Sequence, residues 1–496
     1  MPLQPIRRGV PTKGMNTVAP PRAMAEEFSP VLENVWYDDG ITLRRRLGHS
    51  VSNATIAPNG GIKDIFEYSY GATTKRFIQD LTGLISEDTG TAYTSQAITF
   101  AGEIGHALLK DKILVGNGVA NAQHYNGTAW AAPTTTPTPV GDATIGNIFH
   151  VHKGRCYAAG NTAFPMTVFI SDTFTSTGVD YWGQTAGGAG ELGYLLDCSG
   201  DISSGDSIIG ITTHRGFLVV MCNNHVLFYN ITESSTSGWS SSLYKSVKGE
   251  GCVSHKATQA VGEETIFLSP NGFKKLSVSL IQGDSQVNDL SSPINNAIKD
   301  LLNGGTVVTA DIRSTYNPKY GLYICSLGSV QYAYQTQFQG WFRWTGVQSV
   351  LFTDSALVTY ASGAYMCSID NTVYQDTKAP ATVTAIMMRW NPAPFRSPQL
   401  EHKPRWRKME LIYETNAVSD SVTVDYYRDM DTNMPPVNGT YTLAPKQVLE
   451  NGLYSDRLEL PIAGRSELVS FDFYNDQNTD FRMKLAEVYM NDGSIR

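Results

Sequence analysis

Few residues in this chain have types and spacings that could do chemistry. Gly188, Gly190 and Gly193 in GGAGELG keep the G-x-G-x-x-G spacing that lets a backbone approach a pyrophosphate. That use needs a strand before the glycines and a helix after them. Here polar loop precedes them and Gly193-Tyr194-Leu195-Leu196 reads as strand, so no dinucleotide is expected. Asp429, Asp431 and Asn433 match the first ligand positions of a calcium loop. The sixth position is Met434 instead of the glycine that makes the turn, and the twelfth is Thr440 instead of glutamate. His150 and His152 share one face of a predicted strand, a spacing that can chelate a metal, but no third ligand lies nearby in sequence. SDTFTSTGVDYW carries the Ser, Asp, Gly and Trp of a sialidase-type box in order but at the wrong spacing, and no G-x-S-x-G elbow supports a serine nucleophile. The expectation is a protein that is not an enzyme and that takes no metal or cofactor.

Cys156, Cys198, Cys222, Cys252, Cys325 and Cys367 lie far apart with no C-x-x-C pair, mostly in apolar runs, and read as small buried hydrophobes. The net charge of −8 argues against general nucleic-acid binding, which needs clustered cations. The local exception is Arg389, Arg396, Lys403, Arg405, Arg407 and Lys408, opposed only by Glu401, which suits a strand edge or a subunit interface. The start, MPLQPIRRGVPTKG, has no apolar signal region, and no run of about 18 apolar residues suggests a membrane span.

The elements behind these residues repeat. SIIGITTHRGFLVVMCNNHVLFYNI reads as strand, turn at His214-Arg215-Gly216, buried strand, turn at Asn223-Asn224, strand. Related units begin near Ile65, Ile104, Ile148, Ile208, Thr265, Tyr320 and Val350. Their spacing of about 35 to 60 residues fits propeller blades with loop insertions. TAWAAPTTTPTPVGD and the Ser-rich ESSTSGWSSS read as protruding loops, joined by 172–205 as a third. In SSPINNAIKDLLNGG, Ser292 is the expected N-cap, Pro293 the first helical residue and Gly304 the end, with Ile294, Ala297, Ile298, Leu301 and Leu302 as one apolar stripe. Upstream, NVWYDDGITLRRRLG reads as a hairpin turning at Asp38-Asp39-Gly40 after a Pro-rich arm. Downstream of a break at 378–399, alternating strands predict a β-sandwich. The fold class is therefore all-β: a β-propeller of six or seven blades with an N-terminal extended arm and hairpin and a C-terminal β-sandwich platform. The divisions fall at 1–58, 59–380 and 381–496.

Three stretches carry a family resemblance. The opening GVPTKGMNTVAPPRAMAEEFSPVLENVWYDDGITLRRRLGHS places Asn34, Arg44, Arg46 and Gly48 in a leader, Asn, hairpin and Arg-x-Gly order. The centre runs from VFISDTFTSTGVDYWGQ through the Ile208 unit to GCVSHKATQAVGEETIFLSPNGFKKLSV and LSSPINNAIKD, and the end has SVTVDYYRD, Gly464-Arg465-Ser466 and an FDFY strand. Together they resemble the tail nozzle proteins of short-tailed phages, the DNA-stabilisation or tail tubular protein B-like group. The resemblance implies a homo-hexameric ring below the portal and a head-to-tail adaptor protein. Double-stranded DNA passes through such a ring, tail fibre or spike proteins attach outside, and the location is the virion tail, assembled in the host cytoplasm. The alternatives left open are a receptor- or glycan-binding propeller of a virion tail, using aromatics such as Trp130, Trp182 or Trp239, and a propeller glycosidase.

Overall fold

The computed structural model describes residues 4–20, 23–38, 42–46, 50–51, 53, 55–133, 144–172, 182, 193–203, 205–234, 238–278, 285–305, 307–318, 320–345, 359–362, 365–368, 386–396, 403–415, 420–428, 441–443, 447–448, 453–459, 466–476 and 481–491. Its architecture is propeller-like and nearly all β. Consecutive antiparallel meanders of four strands begin with Ile62–Tyr70, Gly105–Leu109, Ile148–His152, Ile208–His214, Gln259–Val261 and Arg313–Asn317. Of the unit expected near Val350, only 359–362 and 365–368 lie among the described residues. Thr359–Ser362 and Tyr365–Ser368 form a three-stranded sheet with Ser50–Val51, and 346–358 lie outside the described residues.

The sequence dictates these meanders through turn chemistry. At or just past the end of the second strand of the first three units an Asx side chain closes the turn, and in the fourth Asn223 at the same place ties back to the start of the first strand. Asp80 Oδ1 accepts from the Thr82 and Leu84 amides, Asn117 Oδ1 from Val119 and Ala120, and Asn161 Oδ1 from Ala163, while Asn223 donates to Ser207 Oγ. Second strands such as Lys112–Gly116, Arg155–Ala159 and Phe217–Cys222 are almost wholly buried, as strands covered on both faces must be. Separate apolar clusters fill the spaces between successive sheets. The first strands converge, and crowding there requires glycine: a Cβ on Gly105 would stand 2.0 Å from the carbonyl oxygen of Asn147 in the next unit.

The Ser-rich segment around Trp239 is not a protruding loop. His225–Ser234 and Gly238–Lys248 form one long ribbon. It reaches back over the third unit, where Trp239 Nε1 donates to Tyr157 Oη at 3.0 Å. The expected helix is present as Asn295–Asn303 after a 3-10 turn at Ser292–Ile294, with Ile294 and Ile298 buried against the core. Alternation in 405–490 places the strands Arg405–Thr415, Val422–Arg428, Leu453–Glu459, Leu468–Asn475 and Phe481–Asn491.

The two ends of the chain are interleaved. Gln4–Gly9 and Thr42–Arg45 both pair with Phe481–Asn491 in a seven-stranded sheet. Val31–Glu33 lies between Gly340–Trp344 of the sixth meander and Met388–Asn391, so that meander continues into a ten-stranded sheet with Leu468–Asn475 and Val422–Arg428. Residues of both sheets share one apolar core. Between strands the arm lies along the last strand of the sixth meander, where Met15 N donates to Trp341 O. Gly14, at φ +77, comes so close that a Cβ would meet Trp341 N at 2.5 Å.

Candidate functional site

The residues singled out by sequence do not converge on one centre. Asn34 and Arg46 do meet, at the junction of arm, sixth meander and C-terminal segment. Asn34 adopts a left-handed φ of 54°. Its Oδ1 accepts from Thr345 N at 2.8 Å and Arg46 Nη2 at 3.2 Å, while its Nδ2 donates to Thr345 Oγ1 at 3.0 Å and Met387 O at 2.8 Å. The Arg46 guanidinium lies over the Trp344 ring at 4.9 Å. Arg44 is buried too, over Trp36 at 5.8 Å. Gly48, Gly464 and Arg465 lie outside the described residues, as do Gly188, Gly190 and the Asp429 loop.

The basic 389–408 stretch is divided between two sheets. Arg389, in the ten-stranded sheet, makes a forked ion pair with Asp472, Nη2 to Oδ2 at 2.6 Å. Arg396 stands half-buried in the short strand Phe395–Arg396. Lys403, just before the seven-stranded sheet, and Arg405 within it are exposed, Arg407 sits at a register shift, and Lys408 Nζ lies 4.0 Å over the Tyr489 ring. The tryptophans are not free platforms. Trp182 is 1% exposed, Trp130 packs on Phe77 and Tyr125, and Trp239 stacks on Tyr194.

His150 and His152 do share one face, as alternation predicts, and both are bound to the neighbouring unit. His150 Nε2 lies 2.7 Å and His152 Nδ1 2.9 Å from Thr213 Oγ1. Among the described residues no group of three His, Cys, Asp or Glu side chains is placed to hold a metal. Five cysteines are buried free thiols, and burial pushes Cys252 up to about 11 and Cys325 up to about 12.

Sequence reading missed the site with the richest chemistry. A cavity of about 460 Å³ is lined by residues from or just before the first strand of every meander, among them Asp64, His106, His150, Thr212, Lys256 and Arg313. A second cavity of about 300 Å³ lies beyond His255 and Glu103. Asp64 is the hub. Its Oδ2 accepts from Lys256 Nζ and stands 3.4 Å from Arg313 Nη2, and its Oδ1 accepts from Ile65 N at 2.9 Å. This joins the first unit to the last. Burial opposes a charge on Asp64, but Arg313 and Lys256 overcome it and hold the carboxyl at about 2. Burial pushes the Glu103 carboxyl up and, with the cations beside it, drives His255 well below the usual imidazole range. No local motif encodes this cluster, because its members come from four distant segments.

No family model matches the sequence, and no curated protein does. Among the described residues no helix is long and apolar enough to cross a membrane. Among solved structures the chain is similar to the computationally designed Ika8 protein, at 9% identity and TM-score 0.38, covering 64% of this chain and 98% of that one. It is also similar to YCF48 bound to D1 peptide, at 8% identity and TM-score 0.39, covering 67% and 100%. At those scores the propeller-like architecture rests on the chain's own sheets.

Proposed function

We propose that this chain is a non-catalytic tail nozzle subunit, a six-bladed propeller on a platform built from both chain ends. Six copies would form a ring that extends the DNA channel below a portal and adaptor, retains the genome and guides its ejection. The observation that carries the reading is the Asn34–Arg46 junction. Two of the residues by which the opening resembles nozzle proteins, Asn34 and Arg46, fasten arm, sixth meander and C-terminal segment together. A stiff wedge suits a tube wall, which needs rigidity and no reacting groups. The charge of −8 suits a lumen from which a polyanion must slide free, since each phosphate contact formed has to break again. The exposed cations Lys403 and Arg405 then belong at a ring-to-ring or fibre contact.

Native mass spectrometry and electron microscopy with a cognate adaptor ring test this. The expected result is a six-fold ring of six 54.2 kDa chains with Lys403 and Arg405 away from the lumen. A chain that stays monomeric with the adaptor overturns the reading, and one whose ring lines the channel with 403–408 overturns the placement of the basic stretch. The glycan-binding alternative is disfavoured by Trp130, Trp182 and Trp239, whose rings are spent on protein contacts.

A further inference from the structure

The axial cavity has the make-up of a small-molecule site, with an apolar wall and a few converging polar groups. Leu108, Phe149, Val151, Ile211 and Ala260 line it together with Lys256 and Arg313. Hydrogen bonding at the charged end does not close. Lys256 has three N–H groups, of which one is given to Asp64. Arg313 spends Nη1 on the carbonyls of Ala310 and Ile312 at 2.6 and 2.8 Å and reaches the Lys63 carbonyl and Asp64 Oδ2 with Nη2, each at a long 3.4 Å, while its buried Nε has no hydrogen-bond partner among the described residues. Glu103 is held 3.9 Å from both Lys256 Nζ and Arg313 Nη1, beyond hydrogen-bond reach, and its buried Oε1 is likewise unpartnered there. Asp64 Oδ2 therefore faces both buried cations, Lys256 within hydrogen-bond reach and Arg313 at 3.4 Å, while Glu103 meets them only across a gap. Buried groups left in this state are costly unless something bonds to them.

We propose that the axial cavity binds a small organic anion, its oxyanion head taken by Lys256 and Arg313 and its compact apolar body by Phe149, Ile211 and Leu108. Water would satisfy the same N–H groups but gains nothing from the apolar wall, whereas an anion with a body uses both. The site is independent of the nozzle reading and needs only the convergence of the first strands.

Isothermal titration calorimetry on the full chain tests it, with benzoate as probe, benzamide as its neutral isostere and inorganic phosphate as a head without a body. Benzoate is expected to bind saturably in the millimolar range. Benzamide, phosphate and benzoate on the Lys256→Gln variant should each be weaker by about tenfold or more. Ala260→Trp, which adds bulk to the lining away from the ion pairs, should abolish benzoate binding. Circular dichroism establishes that the variants fold, and if Lys256→Gln does not, Ala260→Trp and the benzamide comparison decide. Absence of saturable benzoate binding, equal binding of benzamide, or benzoate affinity unchanged in Ala260→Trp overturns the site. Phosphate binding as tight as benzoate overturns the role of the apolar wall.

Discussion

At the scale of single residues, the hydroxyl of Thr213 has one proton to give and two imidazoles beside it, His150 and His152. One ring nitrogen must therefore donate, and both rings stay neutral. Burial, with His152 beside His150 and Lys153 beside His152, pulls both to about 4. The unfolded chain takes up these protons near 6.5, before the folded one does. Stability present above pH 6.5 is thus lost as pH falls from about 6.5 to about 4, by an amount on the order of 3 kcal/mol per ring. Asp64 acts in a separate, lower window: its ordinary value is 3.8 and its folded value about 2, so its contribution is lost only between them. Urea midpoints measured across both windows should show two steps, and a His150→Gln, His152→Gln double variant should shrink the upper one alone, leaving the part that His214 and His255 carry. Asn34 permits a sharper test. Alanine loses four side-chain hydrogen bonds and keeps the left-handed φ of 54°, whereas glycine loses the bonds without the strain. Asn34→Ala should therefore cost about 2–4 kcal/mol, and Asn34→Gly about 1 kcal/mol less, by chemical denaturation.

At the scale of elements, the meanders were legible because their signals are local. Apolar runs such as Phe217–Cys222 and turn residues such as Asn223 sit within a few positions of what they determine, and the helix announced itself through Pro293 and its stripe. What failed was composition read without a partner. The serines of 233–242 suggested loop, yet Trp239 finds Tyr157 and Tyr194 on a neighbouring sheet and keeps the ribbon extended. The axial cluster was illegible for a related reason: Asp64, Glu103, Lys256 and Arg313 are ordinary surface residue types until convergence of first strands buries them. That convergence is testable at Gly105. Its backbone is not left-handed, so Gly105→Ala adds only a methyl 2.0 Å from the Asn147 carbonyl. Overpacking against backbone should cost about 1–3 kcal/mol. Gly102→Ala, which meets nothing within 4 Å but stands at φ +84, isolates the conformational penalty from the steric one when the two melting curves are compared.

At the scale of the whole molecule, the chain ends are where sequence reading has least purchase, because Gln4 and Met490 are paired partners with no local sign of each other. The alternation in Phe481–Asn491 announces a strand but not its neighbours. One edge of that strand carries Arg405–Thr415, and the other is shared by Thr42–Arg45 and Gln4–Gly9. Deleting residues 1–9 would therefore uncover backbone donors and acceptors opposite 485–490, beside the buried Ala486, Val488 and Met490. It would also take the ion-pair partner from Glu487, which is 6% exposed and paired to Arg7 at 2.7 Å, leaving it the Tyr489 hydroxyl alone among the described side chains. An uncovered edge above an apolar face is an invitation to pair with another chain. The truncated protein should scatter light and self-associate on warming, with faster amide exchange at 481–491. Exchange in Ile208–His214 should not change, since among the described residues the fourth meander draws none of its hydrogen bonds from the arm. If truncation instead accelerated exchange in both regions equally, platform and propeller would unfold as one cooperative unit, and the parallel Glu33–Arg343 pairing, not the terminal strand, would be what couples them.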